Sequence, residues 1–233
     1  MPFLAAGRWM ALALAAAGEA ATPFPGRTAE PPGGQIVDQV VAVVGTRAGE
    51  ARVITLTKVT EEGRIALVSR GGTEAAFARL DGAVLRASLD WYVDQLLLHD
   101  EAVRLQVFEV DQATALAELA RFKAEFPDPK HYKAFLGEID VTEEDLLASL
   151  RRSIRVRRYL ESRLGRLRAS PREVGAWYAA HPAEFGGRPL AEVSDEIAAR
   201  LSASRADAET KALLADLRAR ADIRVLVDLG ARP

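Results

Sequence analysis

The chain has 233 residues, with 31 Lys+Arg against 33 Asp+Glu and a formal net charge of −2. That balance excludes a generally basic, nucleic-acid-coating surface. Cysteine is absent and only His99, His131 and His181 carry imidazole, which removes disulfides, thiolate nucleophiles and Cys-ligated zinc and leans the chain toward binding over catalysis.

Residues 1–21 (MPFLAAGRWMALALAAAGEAA) place Arg8 before a short apolar run and end on small residues at Gly18 and Ala20. This is the pattern of a cleaved secretory signal peptide, with a run too short to span a bilayer. An Ala-rich first helix of a cytosolic protein is the alternative. Residues 22–35 form a Pro/Gly-rich linker with no core pattern, which favours export. The expected location is therefore the periplasm or cell envelope, with the core in residues 36–229 and no transmembrane segment in it.

Residues 36–44 (IVDQVVAVV) read as a buried strand, 45–50 as a turn and 51–56 (ARVITL) as a second strand of a hairpin. Thr57 is expected to cap a helix to about Ser69, stopped by Gly71-Gly72. Residues 80–106 carry Leu85, Leu89, Tyr92, Leu96, His99 and Val103 at helical spacing. Asp111 caps a helix to about Glu125, Asp128-Pro129 opens a short one ending near Gly137, and Thr142 opens a longer one to about Arg168. That last helix has two stripes, Leu146, Leu147, Leu150, Ile154 and then Val156, Leu160, Leu164, Leu167. Positions 154 and 156 lie about 200° apart, so the helix is expected to leave one packing partner and meet another. Ser170-Pro171-Arg172-Glu173 is a capping box, and a long helix runs from Leu190 to about Arg220. Residues 223–229 (IRVLVDL) read as a strand that has only the N-terminal hairpin to join. The expected fold is mainly α, with a small sheet uniting that hairpin and the C-terminal strand.

Catalytic motifs are scarce. Gly45 to Gly49 lacks the spacing of a dinucleotide loop, there is no phosphate-binding or nucleophile-elbow motif, and the three histidines stand apart in sequence. No catalytic residue, cofactor or metal is assigned. The sharpest charge feature is the run of arginines at 151, 152, 155, 157, 158, 163, 166 and 168 against the single acid Glu161. Its plain reading is a solvated face whose charges meet the acids of 138–145 and 192–196. Its functional reading is a client- or membrane-facing basic patch centred on Arg151, Arg152, Arg155 and Arg158; export disfavours nucleic acid.

In order, residues 37–44 (VDQVVAVV), 53–57 (VITLT), 85–105 (LRASLDWYVDQLLLHDEAVRL), Val110-Asp111, 142–168 and Ser170-Pro171-Arg172-Glu173-Val174 with Trp177-Tyr178 resemble the SurA-type chaperone family. These are periplasmic relatives of the parvulin prolyl isomerases. One departure matters. The family's isomerase domain normally follows the segment like His181-Pro182-Ala183-Glu184-Phe185, whereas here Gly186-Gly187 lead straight into Arg188-Pro189-Leu190-Ala191-Glu192-Val193. The resemblance thus implies an ATP-independent chaperone core for unfolded or extended polypeptides, such as outer-membrane protein precursors, without isomerase activity. Candidate client contacts are Trp91, Tyr92, Phe108, Phe122, Phe126, Tyr132 and Phe135, each of which ordinary core packing would also explain. A non-catalytic envelope module for one folded partner is the alternative reading, and an exported isomerase with an unusual site a third. A homodimer is compatible with the sequence.

Overall fold

Residues 38–45 and 51–229 are described by the computed structural model and belong to one unit. The expected signal peptide, the linker, Ile36-Val37 and the hairpin turn at 46–50 lie outside the described residues.

The β-branched run forms β1 (Val40–Gly45), which pairs antiparallel with β2 (Ala51–Thr55) on one side and with β3 (Asp222–Val225) on the other. Val40 faces Thr55 and Ala42 faces Ile54, so Val41 is an extra residue in the ladder, a bulge that turns both Val41 and Ala42 into the core. The sheet therefore unites the hairpin with the C-terminal strand, as the leftover strand required. β3 stops at Val225, short of the expected Leu229, although the Leu226 N–H still donates to Val41 O.

β2 runs directly into α1 (Leu56–Val68). The cap is Thr55, whose hydroxyl accepts from the Lys58 N–H, and not the expected Thr57. The helix starts this early because the Leu56 N–H is satisfied by Gln39 O and the Thr57 N–H by Asp38 Oδ1. After Gly71, at φ +79°, comes α2 (Thr73–Phe77), which the sequence reading did not foresee. Next are α3 (Gly82–Arg104), α4 (Gln112–Ala124) and α5 (Pro129–Glu138), capped by Asp81, Asp111 and Asp128. α6 (Glu143–Leu164) begins with a reciprocal Thr142–Asp145 capping box. It ends four residues before the expected Arg168, because Gly165 is a poor helix former and the chain must extend to enter the next box. α7 (Pro171–Ala180) starts on the Ser170–Glu173 box, and a short 3₁₀ turn (Pro182–Phe185) and Gly186-Gly187, both at positive φ, lead to α8 (Leu190–Arg220).

Three apolar clusters hold these elements. The first joins the sheet, α3, the second half of α6 and the end of α8 through Val41, Val44, Ile54, Leu89, Val93, Val156, Tyr159 and Leu213. The second gathers Val68 of α1, Leu119 and Phe122 of α4, Phe126 of the α4–α5 link, Tyr132 and Phe135 of α5, and Leu146 and Leu150 of α6. α6 thus passes from one core to another midway along its length, as its two stripes imply. The third is the small α7–α8 cluster of Val174, Phe185, Val193 and Ile197. Among the described residues no helix is long and apolar enough to cross a membrane.

Candidate functional site

α3 and α6 pack side by side, and the residues at their contact decide what the surface offers. On α3, Tyr92, Leu96 and His99 repeat at four and three residues, so they share one face. On α6, Ala148, Arg151, Arg152 and Arg155 do the same. With Arg52 of β2 and Glu109-Val110 of the α3–α4 link, these residues line an open surface cleft of about 510 Å³. Its floor is aromatic and aliphatic and its wall is rich in guanidinium groups.

Beneath the cleft lies Glu62 of α1, 1 % exposed. Its carboxylate takes hydrogen bonds from Ser149 Oγ at 2.7 Å and from Arg152 Nη2, and Lys58 Nζ stands 3.1 Å away. Burial alone pushes this carboxyl up; Arg152, Lys58 and the two hydrogen bonds more than offset that and leave it below its ordinary value. Arg152 also lies over the Tyr92 ring, 5.3 Å from its centroid. α1 reaches this position because Gly63 lets it approach α3 closely: a Cβ there would meet Ser88 Oγ at 2.6 Å.

On the opposite side Arg52 forks onto Asp100, at 3.0 and 2.9 Å, and His99 Nδ1 is 3.7 Å from the same carboxylate. Burial raises the Asp100 carboxyl, but the hydrogen bonds from His99 and Arg52 and the Arg52 charge hold it lowered overall. Arg155 Nε donates to Val107 O at 3.0 Å, Arg158 Nη1 to Glu109 O at 3.1 Å, and Arg151 to Gln112 Oε1.

Of the four arginines of the expected basic patch, Arg151, Arg152 and Arg155 line the cleft and Arg158 bonds the adjoining link at Glu109 O. The patch's partners differ from those expected. The α6 arginines that meet acids find Glu62, Glu118 and Glu209. The acids of 138–145 and 192–196 answer other cations instead: Glu138 pairs with Arg64, Glu143 with Lys123, and Glu192 and Glu196 with Arg188. α6 packs against α4 and α8, so Arg157 and Arg163 face the acids of those helices, while Arg152 reaches Glu62 of α1.

The aromatic candidates are corrected more strongly. Tyr92, Phe122, Phe126, Tyr132 and Phe135 are buried, and the last four form a ring cluster in which Phe135 lies 5.3 Å from Phe126 and 5.9 Å from Phe122. They are core because α4 and α5 fold back on each other across the Phe126-Pro127 break. Trp91 and Phe108 are half-buried against the first cluster. Only Tyr92 of the seven lines the cleft. His131 and His181 sit at helix ends, His131 on the Asp128 cap and His181 stacked on Trp177 at 4.0 Å. Sequence reasoning missed Glu62 and Glu109; the Glu62-Gly63 pair within an otherwise amphipathic helix was the available signal, since glycine there marks close packing. Among the described residues no group of three His, Asp or Glu side chains comes together to hold a metal ion.

No family model matches the chain, and no curated protein matches it either.

Proposed function

We propose that the chain is an ATP-independent chaperone of the cell envelope that binds unfolded or extended polypeptides and has no prolyl isomerase activity. The observation that carries this reading is the α3–α6 cleft, where Tyr92, Leu96, Val110 and Ala148 lie next to four arginines. An unfolded chain offers apolar side chains interspersed with charged ones, and a surface of both kinds holds it weakly at several points. The resemblance of the segments, taken in order, to the SurA-type family supports the same reading. So does the short connection from Phe185 to Leu190, a turn where an isomerase domain would stand in that family.

Light scattering of a diluted, unfolded outer-membrane protein tests it. The purified chain at modest excess is expected to suppress aggregation without nucleotide; no suppression refutes generic holding. Export is tested by N-terminal sequencing of periplasmic material, where an intact Met1 would refute it. A second reading, a module for one folded envelope partner, is favoured by Val53, Val225 and Leu226, exposed on or just beyond the two edge strands. Recovery of one dominant stoichiometric partner in a pull-down would select it.

A further inference from the structure

The geometry points to an acidic side chain, Asp or Glu, of an extended polypeptide as the group the cleft recognises, held by Arg151 and Arg155. This inference deepens the polypeptide-binding reading and rests on it. The four cleft arginines fall into two classes. Arg52 and Arg152 are already matched by Asp100 and Glu62. Arg151 and Arg155 are not: their acceptors are the neutral Gln112 Oε1 and Val107 O, and neither makes an ion pair with any described residue. Arg158, three residues further along α6, repeats the pattern on Glu109 O and Thr114 Oγ1.

Uncompensated guanidinium charge beside an apolar floor is the complement of a carboxylate next to an apolar residue. Arg151 has a further mark: its Nε is shielded from solvent and has no acceptor. Turning this side chain toward a carboxylate gives up one hydrogen bond to a neutral amide and gains a charge-assisted pair. The facing wall is a shaped one. In the α3–α4 link Gln106 and Phe108 stand at φ 55° and 59°, a left-handed conformation that bulky residues disfavour. The carbonyls of Val107 and Glu109 in that link receive Arg155 and Arg158, which hold it in this form. Glu109 is the single acid among the lining residues and repels a second carboxylate, so the fit is to an isolated acid flanked by apolar side chains. A free small anion would use the wall and leave Tyr92 and Leu96 idle.

The test is fluorescence anisotropy with the full chain and three labelled peptides. The first is an N-acetylated, C-amidated peptide with one Glu among Leu and Phe. The second has Gln in place of Glu, and the third is the Gln peptide with a free C-terminal carboxylate. The Glu peptide is expected to bind on the order of tenfold more tightly than its amidated Gln counterpart, the gain of a charge-assisted pair. The preference should fall toward unity in R151Q/R155Q, with partial retention in R151K/R155K. Equal binding of the Glu and Gln amides to the wild-type chain overturns the inference while leaving the chaperone reading in place, and it needs no variant to fold. The free-carboxylate Gln peptide matching the Glu peptide overturns it in favour of a chain-terminus site. No binding of any peptide together with no suppression of aggregation overturns both.

Discussion

Replacing Arg152 by Met strips the buried Glu62 carboxylate of its guanidinium while keeping most of the aliphatic stem that lies over Tyr92. Removing one member of a buried pair leaves an uncompensated charge and costs about 3–5 kcal/mol. Lys58 remains at 3.1 Å and Ser149 still donates at 2.7 Å, so the lower end applies, about 3 kcal/mol. For a chain of this size that is a fall in Tm of roughly 6–12 °C. The pH dependence supplies the sharper check. In the native protein the Glu62 carboxyl is held below its ordinary value of 4.5, so its contribution is present above that value and is lost as pH falls through the lowered one. In R152M burial is opposed only by Lys58 and Ser149, and the carboxyl moves up. The variant is then penalised at neutral pH by a buried anion, and the penalty is relieved on protonation. Urea unfolding at a series of pH values should show the gap between R152M and wild type wide at pH 7 and narrowing toward pH 4. The double variant E62M/R152M should recover most of the loss, because an apolar pair of similar volume leaves no buried charge. A loss below about 1 kcal/mol at pH 7, or a gap that does not change with pH, would refute the assignment of Glu62 as a buried carboxylate dependent on Arg152.

Two further changes probe the cores. Phe135→Ala empties a fully buried position ringed by Phe77, Phe122 and Phe126 and should cost about 3–5 kcal/mol by chemical denaturation; a loss under 1 kcal/mol would place the aromatics at the surface after all. Gly63→Ala gains helix propensity worth about 1 kcal/mol but drives a methyl to 2.6 Å from Ser88 Oγ and 3.0 Å from its Cβ. Overpacking of about 1–3 kcal/mol should win, and a raised Tm would show that α1 and α3 have slack between them. In the paired variant Gly63→Ala/Ser88→Ala the Oγ clash is gone, and thermal melts should return most of that loss.

What the sequence made legible was local. Asp111, Asp128, Thr142 and Ser170 cap helices because their side chains sit two or three residues from the N–H groups they accept, a relation written along the chain. The change of face between Ile154 and Val156 was readable for the same reason, and it located the passage of α6 between cores. Pairings across long separations were not readable. Glu62 and Arg152 are ninety residues apart, and nothing in either neighbourhood says that the acid is buried or that this arginine, of eight in the run, is the one that pairs with it. The ring cluster was misjudged because Phe122, Phe126, Tyr132 and Phe135 belong to two helices and the break between them. Their convergence is set by how tightly Pro127 and Asp128 turn the chain.

The sheet has a consequence for how the protein must be made. β1 is its central strand, and Ala42 waits for Val225 before its second edge is covered. On a chain that emerges from its N-terminus, the run Val40-Val41-Ala42-Val43-Val44 is exposed with one bare edge while all eight described helices are still being delivered. Such a strand is a template for pairing with another copy of itself. The last few residues of the fold therefore act as a closing clasp: chains cut before Asp222 should lose solubility out of proportion to the little apolar area that β3 buries.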